Sequence, residues 1–320
     1  MSVAAALNLP WFESPFFERE LAGADLDDEM RERVRSFAER GYVVFDLDRD
    51  DFEALAREIE DALDPEFDAA GNRVQDAWAF VPAVRTLATD PTVLSTLAAL
   101  YGRRPVPFQT LNFRRGTQQP THSDLLHFNS LPPRYMAGVW IALEDVEPHS
   151  GPLHYYPGSH KLPVFELHDL SLSGSSYANR DEQYDLYNRF VAELLAESGL
   201  PKETRLLRRG QALIWASNLF HGGDPISDPS STRRSQVTHY YFDGCRYYTP
   251  LYSDPPLGRY SWRRVIDIST GRVQPHVYAG EKVRLPLKAV ARYEVEHRLR
   301  TSDLGRRLMQ HARRLLGRAS

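Results

Sequence analysis

Cysteine is nearly absent from the chain, which has only Cys245 among its 320 residues. A single cysteine excludes an internal disulfide framework and a thiolate-rich zinc site, and it is typical of a protein from a reducing compartment. Long apolar runs are also missing, and residues 1–9 lack both a basic start and an apolar stretch of the length that a secretory signal needs. We therefore expect a cytoplasmic protein without a transmembrane segment.

A strong excess of either charge is lacking as well. The net charge is −4 at pH 7, which gives no case for a nucleic-acid partner. Basic residues are concentrated at the C-terminal end, where residues 281–320 contain eleven Lys or Arg and four Asp or Glu. We predict a basic helical extension over 281–320. It either packs on the domain with its charges in water or contacts an anionic surface or a partner.

The first third of a single domain, predicted over residues 1–280, has apolar residues at helical spacing. Asp25 is in position to cap one helix, and Gly41 to end it before a short strand over residues 42–45. A second helix begins near Phe52. The pair Asp90 and Pro91, a cap followed by a first-turn proline, begins a third. These apolar stripes predict packing faces without chemistry.

From Val106 onward the apolar pattern has the period of strands, with Gly, Pro, Asn and Asp between short runs. The predicted strands cover residues 106–113, 122–128, 135–143, 153–156, 204–207, 211–215 and 233–242. Many short strands predict a mainly β fold with flanking helices and a double-stranded β-helix core, a cupin-like jelly roll, over about 104–245. A helix over residues 181–198 interrupts them as an insertion, and such insertions commonly cover a site.

Three residues in the β region have the composition of a metal site. His122 and Asp124 are two positions apart, so on a strand they project to the same side. His221, followed by Gly222 and Gly223, would supply a second imidazole from a distant strand. Two histidines and one carboxylate on one face of a metal leave open positions for small ligands, as in non-haem Fe(II) oxygenases.

An arginine follows the second histidine at a position suited to hold a carboxylate. A guanidinium forms a bidentate pair with a carboxylate, which a dicarboxylic co-substrate chelating iron at its other end would need. Arg233 and Arg234 are adjacent, and strand alternation allows only one of them to face inward.

Several motifs in this order resemble those of the phytanoyl-CoA dioxygenase family of Fe(II)- and 2-oxoglutarate-dependent oxygenases. The motifs are Pro120–Asp124, Ala137–Asp145, Ser150–Lys161, His221–Gly223 and Arg233. The resemblance covers about residues 100 to 245. It favours Arg233 over Arg234, because the run that begins at Arg233 matches the family in that register.

The resemblance implies roles for individual residues. His122, Asp124 and His221 would bind iron, and Arg233 would bind the distal carboxylate of 2-oxoglutarate. Further expected pocket residues are Trp140 and Gln109 for the co-substrate, and His127, Asn129, His154 and His239 for the substrate. One departure is Gly223, where family members often carry a small hydroxyl residue, so a co-substrate hydrogen bond would be missing or replaced.

The implied activity is hydroxylation of a small molecule with O2, with release of succinate and CO2. Asp124 argues for hydroxylation, since related halogenases lack this carboxylate. Three alternatives stay open. One keeps iron and 2-oxoglutarate but ends in desaturation, epimerisation or ring formation. Another places hydrolytic zinc on the same triad, and the third is a non-catalytic metal-binding jelly-roll module.

Overall fold

A computed structural model describes residues 7–174, 180–287 and 305. Its helices are α1 (Phe17–Ala22), α2 (Asp28–Arg40), α3 (Phe52–Ala70), α4 (Pro82–Ala88), α5 (Pro91–Tyr101) and α6 (Arg180–Ser198). Its strands are β1 (Tyr42–Asp46), β2 (Arg73–Gln75), β3 (Pro105–Phe113), β4 (Asn129–Leu131), β5 (Met136–Ala142), β6 (Leu153–Tyr155), β7 (Glu203–Thr204), β8 (Gln211–Ala216), β9 (His221–Gly223), β10 (Ser235–Phe242), β11 (Arg246–Tyr248), β12 (Val265–Asp267), β13 (Arg272–Gln274), β14 (His276–Tyr278) and β15 (Glu281–Val283). Within these residues, every helix is too short or too polar to cross a membrane.

A six-stranded antiparallel sheet in the order β1-β8-β5-β10-β3-β2 forms the centre of the fold. A smaller sheet, β7-β6-β9, packs on one face of it, where the rings of Tyr42 and Tyr155 lie 4.5 Å apart between centroids. The helices of the first third cover the other face. This arrangement confirms the predicted jelly-roll core with flanking helices.

Strand alternation divides the side chains of the large sheet between these two faces. In β5, Val139 and Ile141 pack with the helices, whereas Trp140 and Ala142 pack with the smaller sheet. Full burial of such aliphatic side chains contributes about 1.5–3 kcal/mol each. The face toward the smaller sheet carries the candidate site.

Helix ends follow the sequence signals closely. Asp90 caps α5 by accepting hydrogen bonds from Thr92 N and Val93 N at 2.9 and 3.1 Å. Gly41 ends α2 with a left-handed φ of 81°. The predicted cap Asp25 is wrong by two residues, because Asp27 accepts the hydrogen bond from Met30 N.

Two predicted strands are wrong in part. The segment 122–128 is not a strand, because only His122 forms a β-bridge and Asp124–Leu126 turn into a 3₁₀ helix. The segment 204–207 contributes only the end of β7. The predicted helix over 181–198 is confirmed as α6, and its Asp181 and Tyr184 line the cavity described below.

The predicted C-terminal helical extension lies mostly outside the described residues, which omit 288–304 and 306–320. Its beginning is not helical, because Glu281–Val283 form β15, paired with β14. The short hairpins β12-β13 and β14-β15 follow the core and were not predicted from the sequence.

Candidate metal centre and active-site cavity

His122 and His221 are brought together by backbone hydrogen bonds. They form an antiparallel β-bridge in which each residue's N–H donates to the other's carbonyl at 2.9 Å. Asp124 follows at the start of the 3₁₀ helix, so a turn positions its carboxylate and strand alternation does not. One ligand atom from each of these three residues lies within 4.8 Å of the others. The three distant sequence positions therefore meet, and we call them the triad.

The outward nitrogen of each imidazole is set by the hydrogen bond at the other nitrogen. His122 Nδ1 lies 2.8 Å from the carbonyl of Pro120, and His221 Nδ1 lies 3.0 Å from that of Leu219. A carbonyl only accepts, so each Nδ1 carries the proton and each Nε2 keeps its lone pair. Such a second hydrogen bond is the usual arrangement for a metal-binding histidine.

Asp124 is held by a residue that sequence reasoning missed. Trp215 Nε1 donates to Asp124 Oδ2 at 2.7 Å, and Asp124 Oδ1 faces His122 Nε2 at 3.9 Å. One carboxylate oxygen is thus committed to the indole, and the other points into the triad. The sequence identifies Trp215 only as an apolar residue of a predicted strand. Nothing in its spacing indicates a hydrogen bond to Asp124.

Gly138 makes room for this indole. In the large sheet it stands directly between Trp215 of β8 and His239 of β10. A Cβ at this position would lie 2.2 Å from Trp215 Cε2, closer than packed atoms approach. The glycine therefore lets Trp215 lie across β5 and reach Asp124.

The electrostatics suit a metal at physiological pH. Burial and, next in size, the neighbouring His221 lower the pKa of His122 to about 3, so its imidazole is neutral. Burial raises the pKa of Asp124, but the surrounding histidines and the Trp215 hydrogen bond outweigh it and hold the pKa below its usual value. Neutral imidazoles and an ionised carboxylate are the forms that bind metal.

The triad opens onto a cavity of about 690 Å³ that Arg233 also lines. Arg233 is only 1% exposed, donates from Nη1 to the carbonyl of Gly151 at 2.7 Å, and lies over the Trp140 ring at 5.7 Å. Among the described residues no carboxylate pairs with it, and its buried Nε has no hydrogen-bond partner. Burial lowers its pKa to about 10, so it still carries its charge at pH 7. A buried cation without a counter-charge favours binding of an anion.

Arg234 has a different environment. Its guanidinium forms a two-pronged ion pair with Asp64 of α3, at 2.6 and 3.1 Å. It does not line the cavity. The geometry therefore favours Arg233 as the inward-facing arginine.

Four other predicted pocket residues line the same cavity: Trp140, Gln109, His127 and His239. Gln109 Oε1 lies 3.0 Å from His239 Nδ1, so the amide orients that ring. His239 Nε2 points toward Asp124 Oδ2 at 3.9 Å. His239 therefore lies next to the triad as well as in the cavity wall.

Asn129 and His154, the other two residues predicted to contact the substrate, do not line the cavity. The side-chain oxygen Oδ1 of Asn129 accepts hydrogen bonds from Ser130 N and Arg134 N, which gives this side chain a structural role in a turn. His154 lies between Thr121 and Asp224, at 2.8 and 3.0 Å.

The space beside Gly223 explains the departure from the family pattern. A Cβ there would lie 2.9 Å from Gln118 N and 3.1 Å from Thr117 Oγ1. Thr117 lines the cavity, so its hydroxyl occupies the region where a side chain at 223 would project. Next to it, Gln119 Nε2 donates to His122 Nε2 at 3.1 Å, and an ion bound at that nitrogen would replace this hydrogen bond.

This donor set inside a jelly roll, beside a buried arginine, is that of the non-haem iron oxygenases that use a keto acid. A scan against protein families matches the sequence to "Phytanoyl-CoA dioxygenase (PhyH)" over residues 48–235. The chain belongs to this family. Membership confirms the predicted class of enzyme, an oxygenase dependent on iron and 2-oxoglutarate that uses O2.

Solved structures with a similar fold include the following three proteins. The carbocyclase SnoK from nogalamycin biosynthesis is 20% identical with a TM-score of 0.55, covering 82% of this chain and 95% of its own. The epimerase SnoN, in complex with Fe3+, alpha-ketoglutarate and nogalamycin RO, is 20% identical with a TM-score of 0.51, covering 68% and 86%. EctD from S. alaskensis with bound Fe is 19% identical with a TM-score of 0.52, covering 72% and 81%. A search of curated proteins found no match.

Proposed function

We propose that this protein is a dioxygenase that hydroxylates a small-molecule substrate and converts 2-oxoglutarate to succinate and CO2. His122, Asp124 and His221 would hold Fe(II). The observation that carries the proposal is the fixed state of the triad, in which each histidine commits Nδ1 to a backbone carbonyl and leaves Nε2 beside the free oxygen of Asp124. Neutral nitrogen and carboxylate donors are the ligands that ferrous iron takes in this class.

Arg233 would bind the distal carboxylate of 2-oxoglutarate. Its burial and its lack of a carboxylate partner among the described residues support this role. Trp140 forms the wall beside the guanidinium. The Thr117 hydroxyl is the candidate for the hydrogen bond that Gly223 does not supply.

Iron with 2-oxoglutarate and O2 supplies the oxidising power for breaking a substrate C–H bond. The protein supplies orientation and a shielded cavity. Trp215 directs one oxygen of Asp124 into the triad, and Phe108 and Phe128 line the cavity near His239. Aromatic walls exclude water, which strengthens the pairing between Arg233 and a bound carboxylate.

SnoK is a carbocyclase and SnoN an epimerase, and both depend on alpha-ketoglutarate, so the type of product needs its own measurement. Asp124 supports hydroxylation because the carboxylate occupies the position that a halide would need. A hydrolytic zinc site has no use for Arg233, and zinc-dependent hydrolysis without 2-oxoglutarate would favour that alternative.

The experiment is an assay of succinate release with Fe(II), 2-oxoglutarate and O2 across a panel of small molecules, with mass analysis of the products. We expect substrate-dependent succinate and a product heavier by one oxygen atom. Asp124→Ala should abolish succinate release, whereas near-normal release by this variant would refute the ligand assignment. Asp228→Ala is the matched control, because Asp228 caps a surface turn through Ser230 and otherwise faces the exposed His149.

A further inference from the structure

Besides Arg233, three arginines line the cavity: Arg73, Arg263 and Arg264. The sequence did not predict Arg263 at this site. Arg263 lies between β11 and β12 and is fixed at three points. Its N–H donates to the carbonyl of Tyr247 at 2.9 Å, and its own carbonyl accepts from His276 Nε2 at 2.7 Å. Its Nη1 donates to Thr249 Oγ1 at 3.1 Å. Two of these contacts fix the backbone of Arg263, and the third fixes its guanidinium.

The charge of Arg263 is not neutralised by the part of the chain that the structure describes. Among the described residues, its side chain donates to the neutral hydroxyl of Thr249, and its Nε is buried without a hydrogen-bond partner. In contrast, Arg49 and Arg104 each pair with aspartates at 2.6 to 2.8 Å. A half-buried guanidinium with an unused donor favours an anion that comes from outside the chain.

An aromatic wall connects Arg263 with the triad. The guanidinium lies 4.7 Å from the Phe128 ring and 5.6 Å from the Phe108 ring, and the two rings are 5.4 Å apart. The Phe128 ring is 4.8 Å from that of His239, whose Nε2 approaches Asp124 Oδ2 at 3.9 Å. Three successive contacts therefore lead from Arg263 to the triad along one wall.

Arg263 and Arg233 contact different residues, so each guanidinium can bind an anion of its own. Arg233 contacts Gly151 and Trp140, whereas Arg263 contacts Thr249 and the two phenylalanine rings. The cavity of about 690 Å³ lies in the range of sites for drug-sized ligands. It has room for a second molecule beside a five-carbon keto acid.

We propose that Arg263 binds an acidic group of the substrate, a carboxylate or a phosphate, while an apolar or aromatic part of that substrate packs on Phe108 and Phe128. The bidentate guanidinium would anchor one end, and the wall would direct the rest toward the triad. The inference rests on the proposed function, since it names the substrate class of the same site.

The test is anaerobic calorimetry on the full chain with Fe(II) and saturating 2-oxoglutarate, so that Arg233 is occupied. The probes are 3-phenylpropanoate, its neutral amide 3-phenylpropanamide, and 2-phenylethyl phosphate. We expect the wild-type protein to bind at least one of the anions about tenfold or more tightly than the amide, as charged hydrogen bonds predict. A preference for the carboxylate or for the phosphate identifies the acidic group.

Three variants separate charge from packing. Arg263→Gln should bind acid and amide equally, and Arg263→Lys should retain part of the preference. Arg246→Gln is the matched control, because Arg246 stacks on Trp262 at 3.6 Å but does not line the cavity, and it should keep the full preference. Equal binding of acid and amide by the wild type, no binding of either anion, or an unchanged preference in Arg263→Gln would overturn the proposal.

The visible absorption band of the Fe(II)–2-oxoglutarate chelate is recorded in the same samples. If the band forms and the anions show no preference, the inference about Arg263 fails alone. If the band never forms while anions bind through Arg263, the proposed oxygenase function fails alone.

Discussion

Trp215 donates a hydrogen bond of 2.7 Å to Asp124, the only carboxylate of the triad. The bond leaves Oδ1 to face His122 Nε2. Because the donor comes from β8 of the large sheet and the acceptor from a 3₁₀ turn, the sheet fixes the orientation of a group that its own turn would leave free to rotate. A residue outside the triad thus sets the orientation of one of its three side chains.

Trp215→Phe tests this relationship, because phenylalanine keeps an aromatic ring but cannot donate. We expect Fe(II) affinity to fall about 10- to 100-fold, as measured by anaerobic Fe(II) titration. Trp11→Phe is the control, since it removes an indole hydrogen bond of 2.9 Å to the carbonyl of Ala99, far along the chain from the triad. Equal Fe(II) affinity in the two variants would show that the Asp124 orientation does not depend on Trp215.

Gly138→Ala should displace the Trp215 ring, because the added Cβ would lie 2.2 Å from it. We expect a loss of stability of about 1–3 kcal/mol, together with weaker Fe(II) binding. Gly23→Ala is the control, since a Cβ there meets its nearest atom at 3.7 Å. Denaturant unfolding measures the first effect and Fe(II) titration the second. A Gly138→Ala protein with wild-type values for both would contradict the packing account.

Arg233→Gln and Arg234→Gln form a matched pair of neighbouring charge removals. The first should weaken 2-oxoglutarate binding by about 10- to 100-fold, because a buried charged hydrogen bond is lost. The second removes an ion pair with Asp64, whose side chain is 42% exposed. We therefore expect the free energy of unfolding to fall by at most about 1 kcal/mol, with no change in 2-oxoglutarate affinity. Calorimetry with 2-oxoglutarate measures both, and the reverse outcome would exchange the two roles.

Stability should fall on acidification because of buried histidines away from the triad. Burial lowers the pKa of both His160 and His276 to about 4 in the folded chain, against 6.5 for the ordinary value. As the pH falls below 6.5 the unfolded chain takes up protons first, so stability is complete above that pH and is lost toward pH 4. Each histidine contributes about 1.4 kcal/mol per pH unit within this window.

Denaturant unfolding at several pH values between 4 and 7 measures this slope. His160→Gln should reduce the pH dependence of the unfolding free energy by the contribution of one histidine. His149→Gln, at a side chain that is 45% exposed, should leave it unchanged. A slope equal to the wild-type slope in His160→Gln would show that His160 is not held neutral by the fold.

The sequence predicted the jelly roll, its flanking helices and the meeting of His122, Asp124 and His221, because strand periodicity and spaced motifs are local signals. The strand predicted around Asp124 is wrong, because Asp124 begins a 3₁₀ helix. A helix of three residues is too short to give a periodic pattern in the sequence. Trp215, Gly138 and Arg263 could not be found in this way. Their roles come from cross-strand neighbours and from loops that fold back on the cavity.

Asn129 and His154 were predicted to contact the substrate, and neither lines the cavity. Both are polar residues near the motifs, but their side chains are used in local hydrogen bonds. Composition shows that such a residue can bind a ligand, and only the surrounding contacts show whether its donors and acceptors are free.

The most direct test of the account is anaerobic addition of Fe(II) and then 2-oxoglutarate to the wild-type protein and to Asp124→Ala, followed by visible absorption. The account predicts the weak charge-transfer band of the chelate in the wild type, with one equivalent of each, and its loss in the variant. Absence of the band in the wild type, or the same band in Asp124→Ala, would contradict it.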